Sequence, residues 1–542
     1  MRALMRAWWP HALVAAVVVL LRLPTLTNRI LSIDEASYLV HALRLQSLEA
    51  FVFAFLYRTE VKTQVGLVPY LLANALDRSN AIFLIHLFGL VAAAISCSLM
   101  ILLAKRLLKS ELAGVAAALV WAVYLVVGPG SPDPQNLDRY NFFQAPRLEY
   151  FQVPFLLLSL YWFMVGVEAQ RVARNGNDNN GRAIRLLGGA GAAWAFACLV
   201  KPSSVLFGIP MLITLPFFWT VDGGGKAKLN GLLKAGMVFI GSAALPVLLV
   251  FAPYLFHPAA LGELWLNLAH VSSSYATEGL SLSERLAELL TGFQPLLLGA
   301  FLLVPIALAM QQRSFRATRS ARAITQAWLC GVALFLGVVQ GQAHLYYLIV
   351  VIPFMALAVS GQIASLLGTL AATGRIRFAQ AIALVGVLIY MLPQITALSA
   401  YPGETLKDAY LGRDRRRFDL DGLVSYIRTQ TPPNGTLWVY FNTPELLVLS
   451  ERLPVTRDPA GIWLVVLWEE PWFQRTADEL AAECPHLIIG IDRPRYHYPH
   501  TSPLLEIPKV GEWIARTYVC DDSAFRGAIV CRLEQRPSSC KR

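Results

Sequence analysis

Charge is scarce in this chain. Asp, Glu, Lys and Arg make up 15% of its 542 residues, against roughly a quarter in ordinary soluble domains. Hydrophobic residues are 56% and the mean hydropathy is +0.52. That balance excludes a soluble globular protein and implies a polytopic membrane protein. Also missing is a Gly-rich phosphate loop on the inner side, so a nucleotide cofactor is not called for. No C-x-x-C spacing suggests a zinc site. There is no fixed-period repeat and no long low-complexity tract; "NGNDNNG" at 175–181 reads as a loop. The net charge of +11 could point to nucleic acid, but the bases lie in loops between apolar runs, and no nucleic-acid partner is expected.

Apolar stretches long enough for a core of about 30 Å lie near 8–26, 81–104, 112–128, 150–168, 187–200, 203–220, 233–255, 295–310, 324–341, 345–364 and 378–397. The expectation is about eleven transmembrane helices. The first run lacks a small-residue cleavage site and reads as a retained helix. With a cytoplasmic N-terminus, Arg2 and Arg6, Lys105, Arg106 and Lys109, and Arg313, Arg316, Arg319 and Arg322 all fall on one side. The opposite loops are longer in total yet hold half as many bases. This is the positive-inside bias, and it puts the C-terminal region on the outer face of a bacterial inner membrane.

After residue 398 the composition turns charged and Pro-rich. "DGLVSYIRTQTPPNGTLWVYFNTPELLVLSERLP" predicts an amphipathic helix, a turn, a strand from Leu437 to Phe441, and a second helix with Thr443 as N-cap and Pro444 at its first position. "HLIIGID" predicts a buried strand, and "ARTYVCDDSAFRGAIVCRLEQ" two strands around a turn. The expected organisation is a membrane domain over 1–397, with a first outer loop at 27–80, and a small periplasmic α/β domain over 398–542. Cys97, Cys198 and Cys330 lie in spans, whereas Cys484, Cys520, Cys531 and Cys540 lie outside, where bridges can form. Cys520 and Cys531 flank the predicted hairpin and are the favoured pair, with Cys484 and Cys540 the weaker one.

The charges that remain are informative. Asp34 and Glu35 stand side by side just past the first span, in a loop that also contains Arg58, Glu60 and Lys62 and two amphipathic helices at the membrane surface. Carboxylates there are costly unless water, a cation or a substrate uses them. The plainer account is helix capping by Ser32 or Asp34. Arg147 and Glu149 lie at the mouth of another span, Lys201 tips the apolar hairpin "CLVKPSS", and His344, Tyr346 and Tyr347 mark the outer end of a further span as candidate substrate contacts. Arg147 and Lys201 could instead snorkel to headgroups, and the tyrosines could form an aromatic belt. All converge on one face.

In this order "IDEASY", "GLVPYLLANAL", "RLEYFQVPFLLLSLYWF", "LVKPSS" and "AHLYYLIVVIPFMALA", followed by the C-terminal domain, the chain resembles membrane glycosyltransferases of the GT-C superfamily. It is most similar to the family 39 branch, related to protein O-mannosyltransferases and the lipid A aminoarabinose transferase. The resemblance implies a polyprenyl-phosphate-linked sugar as donor and a lipid, glycan or protein as acceptor. It implies Asp34 as the acid that handles the acceptor, Glu35 as its neighbour, Glu149 as a second outer acid and Lys62 as a donor-phosphate contact. In place of the family's Lys-Pro-Pro run this chain has "VKTQVGLVP". A leaving phosphate also suits Arg58, Arg147 and Lys201. A divalent cation joining Asp34 stays open. The rival from a different class is a transporter or flippase of a lipid-linked glycan, which would favour charges inside spans and internal symmetry.

Overall fold

The computed structural model describes residues 2–26, 30, 32–58, 63–127, 145–173, 180–218, 225–271, 281, 283, 331, 348–372, 420–440, 443–459, 461, 464, 468–491, 502–525 and 527–533. The chain divides into two compact units. One comprises Met1–Thr27, His86–Phe251 and Gly279–Tyr410; the other comprises Asn28–Ile85, Ala252–Glu278 and Leu411–Arg542.

The first unit is a bundle of apolar helices. Among the described residues four helices are long and apolar enough to cross a membrane: Ala81–Leu107, Leu148–Gln170, Gly181–Val200 and Leu229–Leu255. Shorter apolar helices include Trp8–Arg22, Glu111–Leu125, Pro202–Pro216 and Leu348–Gly361. The spans expected near 295–310, 324–341 and 378–397 lie, residue 331 apart, outside the described residues. The first helix, Arg2–Arg22, passes into a 3-10 turn, Leu23–Thr25, so it begins and ends earlier than the 8–26 run. Pro24 has no N–H to continue the ladder.

Small residues let these helices approach closely. A Cβ on Gly191 would meet the Phe239 carbonyl oxygen at 2.1 Å, so Gly is required where Asn180–Val200 crosses Gly225–Leu255. The Trp121 indole donates to the Ile349 carbonyl at 3.1 Å, and the Ser159 hydroxyl to that of Ala190 at 2.8 Å. Each polar atom is thereby satisfied by backbone, as an apolar surrounding requires. At one end of the bundle Lys105 pairs with Glu111 at 3.2 Å, and Arg106 and Lys109 pair with Glu168 at 3.1 and 3.4 Å.

The second unit is built on a five-stranded sheet, ordered β2-β1-β3-β5-β4. Its strands are β1 (Thr436–Tyr440), β2 (Leu453–Pro454), β3 (Leu487–Ile491), β4 (Tyr518–Phe525) and β5 (Ala528–Leu533). β1 runs parallel to β2 and β3, whereas β5 is antiparallel to β3 and β4. β3 is buried along its whole length, which explains its unbroken apolar sequence. The helix Leu420–Gln430 turns Leu420, Leu423 and Ile427 into this core, each worth about 1.5–3 kcal/mol of burial. The next helix is Glu445–Ser450, with Pro444 rather than Thr443 at the cap position. The Leu446 amide donates to the Thr443 carbonyl at 3.2 Å, so the chain enters through a tighter i to i+3 turn before the helix proper. Cys520 and Cys531 face each other across β4 and β5 and are bridged. Cys484 is also in a disulfide, whose partner lies outside the described residues.

The same unit contains the first-loop helices. Ile33–Arg44 packs Tyr38 edge-on against Tyr70 of Val68–Leu76, with ring centroids 5.2 Å apart. Val40 enters the core of the α/β domain. The Arg44 guanidinium donates to the carbonyls of Val455, at 3.0 Å, and Thr456. The acid-bearing loop and the C-terminal domain are therefore parts of one folded body.

Candidate active site

Two groups of side chains, one in each unit, contain those residues singled out in the sequence that the structure describes. In the second unit Ser32 is the N-cap of Ile33–Arg44, its hydroxyl accepting from the Glu35 amide at 3.3 Å. Asp34 and Glu35 occupy the first turn, where negative charge favours the positive end of the helix dipole. Asp34 is half-buried and Glu35 fully buried. Ser32 thus supplies the cap, and neither carboxylate is needed for it.

At the other end of this helix, burial pushes the Arg44 guanidinium down to about 10, Glu479 opposing the shift and Arg457 reinforcing it. It remains charged at neutral pH and satisfies two orphan carbonyls of the α/β domain. Arg58 is fully buried, its guanidinium carbon 5.5 Å from the centre of the Phe55 ring. Tyr254 packs edge-on against Phe53 and Phe55 at 5.5 and 6.1 Å, and its hydroxyl accepts from the Phe55 amide at 3.5 Å. Lys62 and Glu60 lie outside the described residues.

In the first unit the start of Leu148–Ala173, the end of Asn180–Val200 and the end of Arg2–Arg22 come together. Lys201 donates to Glu149, and the two are 8% and 1% exposed. Desolvating both charges is costly, so the pair persists because each neutralises the other. Arg147, two residues before Glu149, is fully buried. Arg22 donates to the Tyr150 hydroxyl and lies 4.8 Å from the centre of its ring. The Tyr150 hydroxyl in turn donates to the Leu125 carbonyl at 3.4 Å. The Gln152 amide donates to the Ser204 hydroxyl, while the Trp194 indole donates to the Ser204 carbonyl at 2.7 Å. These bonds fix the hairpin that presents Lys201. His344, Tyr346 and Tyr347 lie outside the described residues.

Arg22 and Tyr150 were not among the residues singled out by sequence. Arg22 interrupts "VVVLLRLP", and an arginine inside an apolar run is itself a signal. Tyr150 and Gln152 follow Glu149 closely, but which face they take depends on packing. Among the described residues no three His, Cys, Asp or Glu side chains are grouped to hold a metal ion.

No protein-family model matches the sequence, and no curated protein matches it either. Solved structures do. ArnT from Cupriavidus metallidurans, determined bound to undecaprenyl phosphate, superposes with a TM-score of 0.56 at 15% identity, covering 98% of this chain and 99% of that one. The archaeal oligosaccharyltransferase AglB from Archaeoglobus fulgidus, in complex with an inhibitory peptide and a dolichol-phosphate, gives a TM-score of 0.51 at 12% identity, covering 90% of this chain and 70% of its own. The same enzyme tethered to an acceptor peptide matches equally. At these identities the likeness is one of fold alone, over nearly the whole chain in the first case.

Proposed function

We propose that this chain is an integral-membrane glycosyltransferase, moving a sugar from a polyprenyl-phosphate donor to a lipid, glycan or protein acceptor on the periplasmic face of a bacterial inner membrane. The observation that carries the reading is the shared fold, over nearly the whole chain, with a transferase captured on undecaprenyl phosphate. Residues 1–397 are assigned the membrane catalytic domain and 398–542 the outer α/β domain. The loop-charge bias supports that orientation. In support too, the Lys105, Arg106 and Lys109 ion pairs and the group around Glu149 and Lys201 occupy opposite ends of the helix bundle.

The reaction is a displacement at the anomeric carbon. The acceptor oxygen or nitrogen forms a bond to that carbon as the bond to the phosphate oxygen breaks, with inversion. Polyprenyl phosphate leaves with the electron pair, and the acceptor proton passes to Asp34 acting as base. Glu35, one residue on, is buried and helps fix the first turn. Cations stabilise the charge growing on the leaving phosphate. Lys62 is ranked first, with Arg58 and Arg147 as further candidates. Lys201 ranks lower because its ammonium is held by Glu149. His344, Tyr346 and Tyr347 are assigned substrate contacts. Membrane lipids surround the bundle and the prenyl chain lies among its helices.

The test is mass spectrometry of lipid-linked intermediates in a deletion strain, followed by transfer with purified protein. Accumulation of a polyprenyl-phosphate monosaccharide, and its consumption by the purified enzyme with a new glycosidic bond formed, is the expected result. Movement of the lipid across liposomes without any transfer would make the protein a flippase.

A further inference from the structure

The helix Pro258–Trp265 is amphipathic the wrong way round for a helix that meets water. Its inward face is built on Ala260, Leu264 and, in the turn that follows, Asn267, all buried. Glu263 lies on the same side and accepts from Arg457 at 2.8 Å and Arg475 at 2.9 Å. Those arginines also pair with Glu479, at 3.1 and 3.5 Å. The one acid of the helix is thus turned toward the α/β domain.

The opposite face repeats at helical spacing through Pro258, Leu261, Gly262, Trp265 and Leu268, with no polar side chain among them. Trp265 is 73% exposed, and Phe256, just before the helix, is 87% exposed. A single exposed leucine needs no explanation, but a contiguous apolar row with the charge hidden behind it does.

Along the chain the row follows directly on an apolar segment. Gly225–Leu255 includes a stretch long enough to cross a membrane, and its Leu245, Leu248, Leu249 and Leu255 are all exposed. Pro258 follows Leu255 by three residues, a reach of roughly 11 Å at most. We propose that Phe256, Leu261, Trp265 and Leu268 form a lipid-contact surface, on which the helix Pro258–Trp265 lies in the interfacial layer of the leaflet where Gly225–Leu255 ends. A tryptophan suits that depth, with its ring among acyl chains and its indole N–H at headgroup level. A stripe one helix wide is too narrow for a specific protein interface, which needs about 1,000 Å² and a polar rim.

The test uses the full-length protein in phosphatidylcholine nanodiscs, with Cys97, Cys198 and Cys330 replaced by alanine. An environment-sensitive fluorophore is attached through Leu261→Cys or, separately, Trp265→Cys, with Gln474→Cys as the water-facing control. When lipids bearing a nitroxide on the acyl chain are included, both helix labels should lose most of their emission and the control should keep it. Having two positions guards against one substitution disturbing the fold. If both labels emit as in water and ignore the nitroxide lipid, the proposal fails. It fails equally if they are shielded from the lipid but quenched by labels on a second copy, which would make the face a protein interface.

Discussion

Asp34→Asn separates a catalytic carboxylate from a helix-capping one, because Ser32 and not Asp34 caps the helix. Ser32 already caps Ile33–Arg44, so the asparagine removes no cap. The helix-dipole share of the lost charge is worth about 0.3–1 kcal/mol. A correctly placed base contributes about 10²–10⁴ in rate, or roughly 3–5 kcal/mol of barrier at 1.36 kcal/mol per decade. The catalytic loss therefore exceeds that dipole share several-fold. Ser32→Ala gives the converse control: it costs about 0.5–2 kcal/mol of helix stability and should lower the melting temperature while leaving per-molecule turnover close to normal. Purified protein, a radiolabelled polyprenyl-phosphate sugar as donor and an acceptor suffice, with donor binding measured separately. Asp34→Asn should bind donor normally and transfer at least about 10²-fold more slowly. Near-normal turnover in Asp34→Asn would refute the assignment and leave the acid pair as a first-turn charge effect.

Lys201→Met should lower stability by about 3–5 kcal/mol by leaving Glu149 charged and buried alone, and adding Glu149→Gln should restore most of it; a stable but inactive double variant would show that the pair also takes part in transfer. Lys62→Ala should weaken donor binding and slow turnover, with Lys62→Arg partly active if charge is the role; unchanged donor affinity in Lys62→Ala would move the phosphate contact to Arg58 or Arg147. Gly191→Ala should lower the thermal midpoint in detergent, since its Cβ would meet the Phe239 carbonyl oxygen at 2.1 Å; an unchanged midpoint would mean the two helices can separate at little cost.

What the sequence could tell depended on how local the physics was. β1, β3 and β5 were legible because each is a short β-branched or apolar run, and β4 through its opening Tyr518-Val519-Cys520 and the turn that follows it. The long apolar helices were legible because the low charge content of each run leaves no other environment for it. The cap was legible only as a choice between Ser32 and Asp34. A serine hydroxyl and an aspartate carboxylate cap about equally well, so backbone geometry had to decide, and Ser32 is the one in extended conformation with its hydroxyl on the Glu35 amide.

The partnerships were not legible, and the reason is separation along the chain. Lys201 meets Glu149 across 52 residues and Arg22 meets Tyr150 across 128. No periodicity encodes such a pair, because it follows from which helices pack together. Composition drew the boundary of the outer domain near residue 398, but Arg44 bonds to Val455 and Thr456 some 411 residues away. That contact has a chemical consequence. The helix that presents Asp34 is fixed at its far end by a charged side chain donating to carbonyls of the α/β domain, so the angle at which it presents its first turn is set partly by residues remote from any substrate. Under the proposed mechanism, a general base must lie within hydrogen-bond reach of the proton it takes. Misplacement by about 1 Å costs on the order of 10²-fold. The C-terminal domain is then a brace for the catalytic loop, whether or not it also touches the acceptor.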